Sequence, residues 1–269
     1  MEKWLLLFLI VACAPLDISD APQFKTLPYG DMPEQVMDVY KQGTDVQPAI
    51  IIVHGSAWDG GTGRKENMRG EAKVFMESGY TAIVPEYRLM GNHPFPASES
   101  DIACVAATLY ANADRLRVDK DNIIMMGYSG GTYTSSQVAF NFDERLLTDC
   151  KYQTVQLKGF IGMSGVGYFS DKNIYEIFNE TVDKSYYFGL HNVSSSYDMV
   201  DGNDIPAYFL VGSEDDKAPA SISRVMYDRC VERGLETEFN VIDGVGHGNV
   251  LGDEVAKETI LRYASQILE

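Results

Sequence analysis

Six strand-length apolar runs recur along the chain, and most are continuous rather than alternating. They are Ala49–Gly55 (AIIIVHG), Thr81–Tyr87 (TAIVPEY), Asn122–Ser129 (NIIMMGYS), Gly159–Ser164 (GFIGMS), Ala207–Gly212 (AYFLVG) and Thr237–Ile242 (TEFNVI). A strand with one wet face alternates polar and apolar residues, whereas a strand that is apolar on both faces has to be covered on both. Between these runs, Glu66–Ser78, Ala97–Ala113, Gly131–Phe140, Ala220–Arg233 and Asp253–Leu268 place apolar residues at i, i+3 and i+4, the signature of helices with one buried face. Strand–helix–strand order predicts an α/β domain built on a mostly parallel, doubly wound sheet with helices on both faces. Gln35–Lys41 (QVMDVYK) alternates and is expected as an antiparallel edge strand. In such a sheet the chemistry gathers at the carboxyl ends of the strands.

A length of 269 residues suits one such domain, spanning 15–269. The formal net charge of −17 argues against nucleic acid as a partner, because phosphates would be repelled, and also against an anionic membrane surface. The apolar stretch Trp4–Cys13 is half the length that a membrane span needs, so residues 1–14 read as an export signal. Ile10-Val11-Ala12-Cys13 also has the form of a lipoprotein box, which would put a lipid anchor on Cys13. The expected location is therefore exported: secreted, periplasmic or lipid-anchored. With Cys13 set aside, Cys104, Cys150 and Cys230 allow one disulfide plus a free thiol, or three buried thiols. Cys104 lies in a helical pattern and is expected in the core. Asn179 and Asn192 head glycosylation sequons, which matter only in a secreted eukaryotic chain.

Gly127-Tyr128-Ser129-Gly130-Gly131 has the form G-x-S-x-G, directly after a buried strand and directly before a helix. A sharp turn there strains the serine backbone, lifts its hydroxyl clear of the sheet, and needs small residues two positions either side. Ser129 is the expected nucleophile; the plainer reading is a helix N-cap flanked by turn glycines. A serine hydroxyl needs a base. Of the four histidines, only His191 and His247 follow Ser129, and only His247 sits on a loop after the last strand. The orienting acid belongs between them at a strand end, where Ser213-Glu214-Asp215-Asp216 follow Ala207–Gly212. Asp215 is preferred over Asp216, and Glu214 comes third; Asp216 could instead cap the next helix. His54-Gly55-Ser56-Ala57-Trp58 follows an early strand. The amides of Ser56, Ala57 and Gly130 are expected to form an oxyanion hole. His54 would orient this loop, with Gly55 allowing close approach, and Trp58 would line the pocket or pack the loop.

HGSAW, then Val84-Pro85-Glu86-Tyr87-Arg88-Leu89, then His93-Pro94-Phe95-Pro96-Ala97, then GYSGG, resembles the esterase/lipase group of α/β hydrolases. That group includes hormone-sensitive-lipase-like carboxylesterases and the related feruloyl and acetyl-xylan esterases, and kynurenine formamidase is similar. Gly212-Ser213-Glu214-Asp215 with Pro219 resembles the group's acid motif. The resemblance runs from about Gln35 to Leu268. It implies an α/β-hydrolase fold, a Ser-His-Asp triad, hydrolysis of a carboxylic ester, and no metal or organic cofactor. Ser56 stands where the group usually has a second glycine, so its side chain would narrow the approach or reach a substrate oxygen.

Within that pattern, 165–205 is the one sizeable insertion and is expected as a small lid. It carries Tyr168, Phe169, Tyr175, Phe178, Tyr186, Tyr187, Phe188 and Tyr197, which would either stack on an aromatic or sugar substrate or simply pack. The expected partner is a small-molecule ester or an acylated glycan, bearing short or medium acyl, acetyl or feruloyl groups. An amidase or peptidase with the same triad, a lactone hydrolase and a non-catalytic binding protein are the rival readings.

Overall fold

A computed structural model describes residues 23–56, 63–89, 93–140, 144–165 and 196–269. The expected export signal with Cys13, both sequons, His191, Ala57, Trp58 and most of the expected lid, including Tyr168, Phe169, Tyr175, Phe178, Tyr186, Tyr187 and Phe188, lie outside the described residues. Eight strands form one sheet: β1 (Gln23–Pro28), β2 (Val36–Lys41), β3 (Gln47–Val53), β4 (Thr81–Pro85), β5 (Val118–Tyr128), β6 (Gly159–Met163), β7 (Ala207–Gly212) and β8 (Thr237–Ile242). Their order is β1-β2-β4-β3-β5-β6-β7-β8. The pairs β1/β2 and β2/β4 are antiparallel, and the other five are parallel. This is the α/β-hydrolase fold.

All six apolar runs are strands, within a few residues at their ends. The alternating strand β2 is antiparallel as expected, but it is not the edge. β1 pairs with it along its whole length and takes that place. The segment QFKTLP carries too few apolar residues to announce itself, and Phe24 is exposed. Its strand character comes from the ladder with β2.

Among the described residues, five longer helices cover the two faces: α1 (Arg69–Glu77), α2 (Ala97–Ala111), α3 (Gly130–Phe140), α4 (Ala220–Arg233) and α5 (Glu254–Leu268). A short 3₁₀ turn at Lys65–Met68 leads into α1. Successive residues of β3 show why both faces need cover. Ile51 and Val53 pack with Ile102, Val105 and Val138 in one cluster, under α2, α3 and α4. Ile50 and Ile52 pack with Phe75, Ile260 and Tyr263 in a second, under α1 and α5. Each of these β3 side chains is fully buried, and each contributes roughly 1.5–3 kcal/mol of transfer free energy.

Cys104 on α2 is buried, as expected of a core residue, but it is disulfide-bonded to Cys150, 46 residues on. Cys230 is free and buried, and burial pushes its thiol up to about 12. Of the lid aromatics, Tyr197 lies under the Arg229 guanidinium of α4, 4.9 Å away, so here the packing reading holds. Among the described residues no helix is long and apolar enough to cross a membrane.

Candidate active site

Ser129 is the hinge between β5 and α3, and its φ of 53° lies in the left-handed region that side chains rarely adopt. The glycines around it permit the turn. A β-carbon on Gly131 would come within 2.4 Å of the carbonyl oxygens of Val53 and His54, and one on Gly127 within 2.5 Å of the Gly131 carbonyl. The loop after β3 therefore packs directly against the elbow, and Gly55 abuts the Ser129 side chain. The Ser129 amide is tied to the Met163 carbonyl at the end of β6, 2.9 Å away, so the turn is fastened to the neighbouring strand.

Three side chains far apart in sequence converge on this hinge. His247 Nε2 is 2.9 Å from Ser129 Oγ, and His247 Nδ1 is 2.9 Å from both carboxylate oxygens of Asp215. An ionised carboxylate only accepts hydrogen bonds, so the Nδ1 proton is on the Asp215 side and Nε2 is free to accept the serine proton. Asp215 follows β7 and its side chain is fully buried. Burial alone would raise its carboxyl, but hydrogen bonds from His247 and the Ala218 amide outweigh that and hold it below the usual carboxylate range. Its Oδ1 also accepts from the Lys217 amide at 3.0 Å and the Ala218 amide at 2.8 Å. The neighbouring acids take no part. Asp216 is 76% exposed, with Lys217 Nζ 3.7 Å away, and Glu214 is exposed. Nor does Asp216 cap the next helix, because the N-cap of α4 is Pro219, which has no side-chain cap.

His54 is buried, with Nδ1 2.9 Å from the Gly55 carbonyl, which pins the loop from within. Its Nε2 is 3.5 Å from Glu86 and makes no hydrogen bond. Two tyrosines complete the support: Tyr128, expected from the sequence only as part of the nucleophile elbow, and Tyr87, which carries no role in the sequence reading. The Tyr87 hydroxyl donates to the His54 carbonyl at 2.7 Å, and its ring packs 4.4 Å from the His54 imidazole. The Tyr128 hydroxyl donates to the His247 carbonyl at 3.0 Å, with the two rings 5.3 Å apart. Burial and the Asp215 charge push the Tyr128 phenol up to about 12, so it remains a donor. The middle position of G-x-S-x-G accepts many residues, and nothing in its spacing marks a tyrosine that reaches the base loop. Ser56 is half-buried, and Gly130 opens α3, where the first amides have no helical acceptor.

Serine, acid and histidine thus occur in the chain order of α/β hydrolases, each at the carboxyl end of its strand. The sheet and its helices match that fold, and the molecule is an α/β hydrolase of the esterase/lipase group. Its family is narrower: the BD-FAE family model matches residues 37–229, and the chain belongs to that family. It is 24% identical to Esterase LipC of Mycobacterium tuberculosis over 82% of this chain, and it spans 58% of LipC's length. Among solved structures it is similar to a truncated carbohydrate esterase from gut microbiota, with a TM-score of 0.75, 17% identity, and coverage of 92% of this chain and 97% of that one. It is also similar to Thermogutta terrifontis esterase 2 phosphoramylated by tabun, with a TM-score of 0.72, 20% identity, and coverage of 91% and 93%.

Proposed function

We propose that this chain is a serine carboxylic-ester hydrolase working through an acyl-enzyme. The observation that carries the reading is the unbroken relay from Ser129 Oγ through His247 to Asp215, each link 2.9 Å. In this mechanism His247 Nε2 takes the Ser129 proton as Oγ attacks the ester carbonyl. Asp215 keeps the imidazole in the required tautomer and stabilises its positive form. The amides of Gly130 and Ser56, with Ala57, receive the charge on the former carbonyl oxygen. His247 then protonates the departing alcohol, and the same three residues activate water to release the acid. No metal or organic cofactor enters the scheme.

The substrates are short or medium acyl, acetyl or feruloyl esters, including acylated glycans. Membership of the BD-FAE family and likeness to a carbohydrate esterase support this range. The Cys104–Cys150 disulfide supports export, since such bonds persist in oxidising compartments. The test is a panel of p-nitrophenyl esters, acetylated and feruloylated sugars and matched amides, with fluorophosphonate labelling alongside. Ester turnover and labelling that both vanish in Ser129→Ala are expected. Faster turnover of the matched amides would overturn the ester assignment, and labelling that persists in the variant would overturn the nucleophile.

A further inference from the structure

Ser164 is the residue after β6, lying between the turn that carries the nucleophile and the strand that leads to the acid. Its amide donates to the Leu210 carbonyl of β7 at 2.8 Å. The residue before it, Met163, offers its carbonyl to the Ser129 amide. The residue after it, Gly165, sits so close to the elbow that a β-carbon there would be 2.7 Å from the Ser129 carbonyl. The Gly165 carbonyl in turn accepts from Ser223 of α4 at 2.8 Å. Fixed on both sides, Ser164 holds a φ of 45°, in the left-handed region that, among the described non-glycine residues, only Arg117 and Ser129 share. Such a conformation costs of order 1–3 kcal/mol and persists only where the surroundings impose it.

The side chain is as unusual as the backbone. Ser164 is fully buried, and its hydroxyl has no partner that meets hydrogen-bond geometry. A buried donor without an acceptor is costly, so such a hydroxyl is retained where a neighbour can accept from it. Asp215 offers the matching deficit. Its Oδ1 accepts from His247 and from two amides, while among the described residues its Oδ2 accepts only from His247. The Ser164 hydroxyl also belongs to the groups that hold the Asp215 carboxyl down, behind His247 and the Ala218 amide.

We propose that Ser164 is a positioning residue for the triad, its hydroxyl closing onto Asp215 Oδ2 so that the carboxylate stays aimed at His247 while the imidazole gains charge. This rests on the triad reading above. The hydroxyl touches no reacting atom and acts through Asp215. The ionisable groups that face Asp215 are His247 and the Tyr128 phenol.

Two variants separate the hydroxyl from the backbone. Ser164→Ala removes the hydroxyl and keeps the strained φ, whereas Ser164→Gly removes the hydroxyl and relieves the strain. Both are assayed as the full chain on p-nitrophenyl acetate across pH, with thermal melts. The expected result is a fall in kcat of about tenfold for each variant, the size of a lost hydrogen bond to a charged group, with KM unchanged. The acid limb of the pH profile should also move to higher pH, because an Asp215 that has lost a donor is more basic and holds the His247 imidazolium more tightly. Ser164→Gly should melt at least as high as the parent and still be slow. Full kcat and an unmoved limb in Ser164→Ala would overturn the proposal, as would full kcat in Ser164→Gly if Ser164→Ala does not fold. Turnover that survives Ser129→Ala in the same assay would indict the triad reading instead.

Discussion

At the scale of single residues, the site divides carboxyl groups by environment. Asp215 is sealed, hydrogen-bonded and held ionised; Asp216, next to it, is in water. Asp215→Asn should therefore lower kcat on the order of 10⁴-fold by losing the tautomer control, while Asp216→Asn stays within about twofold, both read from ester turnover. The sequence offered three adjacent acids after β7; of these Asp215 alone is buried and bonded to His247, while Glu214 and Asp216 face water. A third carboxyl behaves oppositely. Glu99, in the first turn of α2, is fully buried with neither oxygen hydrogen-bonded, and burial followed by the nearby Asp101 charge raises it to about 7. Its folded value lies above its unfolded one, so folding favours the protonated form. The penalty is absent below the ordinary carboxyl range and fully developed above about 7. Glu99→Gln should raise the melting temperature clearly at pH 8 and little at pH 5. An equal gain at both pH values would show that titration is not the cause.

At the scale of elements, the turns are specified more tightly than the strands. A methyl added at Gly131 would meet two backbone carbonyls at 2.4 Å, and backbone cannot step aside as a side chain can. Gly131→Ala should cost about 1–3 kcal/mol in denaturant unfolding and remove most activity, since the loop after β3 and the elbow would be pushed apart. The disulfide ties α2 to the segment after α3 across 46 residues. Replacing both Cys104 and Cys150 by alanine should cost about 2–4 kcal/mol, and reductant should weaken the parent chain alike. Strands buried on both faces were legible because their apolar residues run together. β1 was not, because its partner rather than its composition makes it a strand. The pairing of Cys104 with Cys150 was equally invisible, since three thiols at irregular spacing say nothing about which two meet.

At the scale of the whole molecule, fold class and the three side chains that converge on the elbow could be read from chain order, because an open parallel sheet delivers every strand end to one edge. What could not be read is the scaffolding around them, including the phenols of Tyr87 and Tyr128 and the strained Ser164. These act through contacts between segments that no local pattern records. The same long-range assembly has a practical corollary. Ser129 and His247 are 118 residues apart, and His247 and Asp215 are 32 apart. No fragment of the chain can hold all three in register without the sheet between them. Turnover is thus a gauge of the intact tertiary state: on heating, the midpoint of reversible activity loss should coincide with that of ellipticity, and an assay plate could serve in place of a calorimeter.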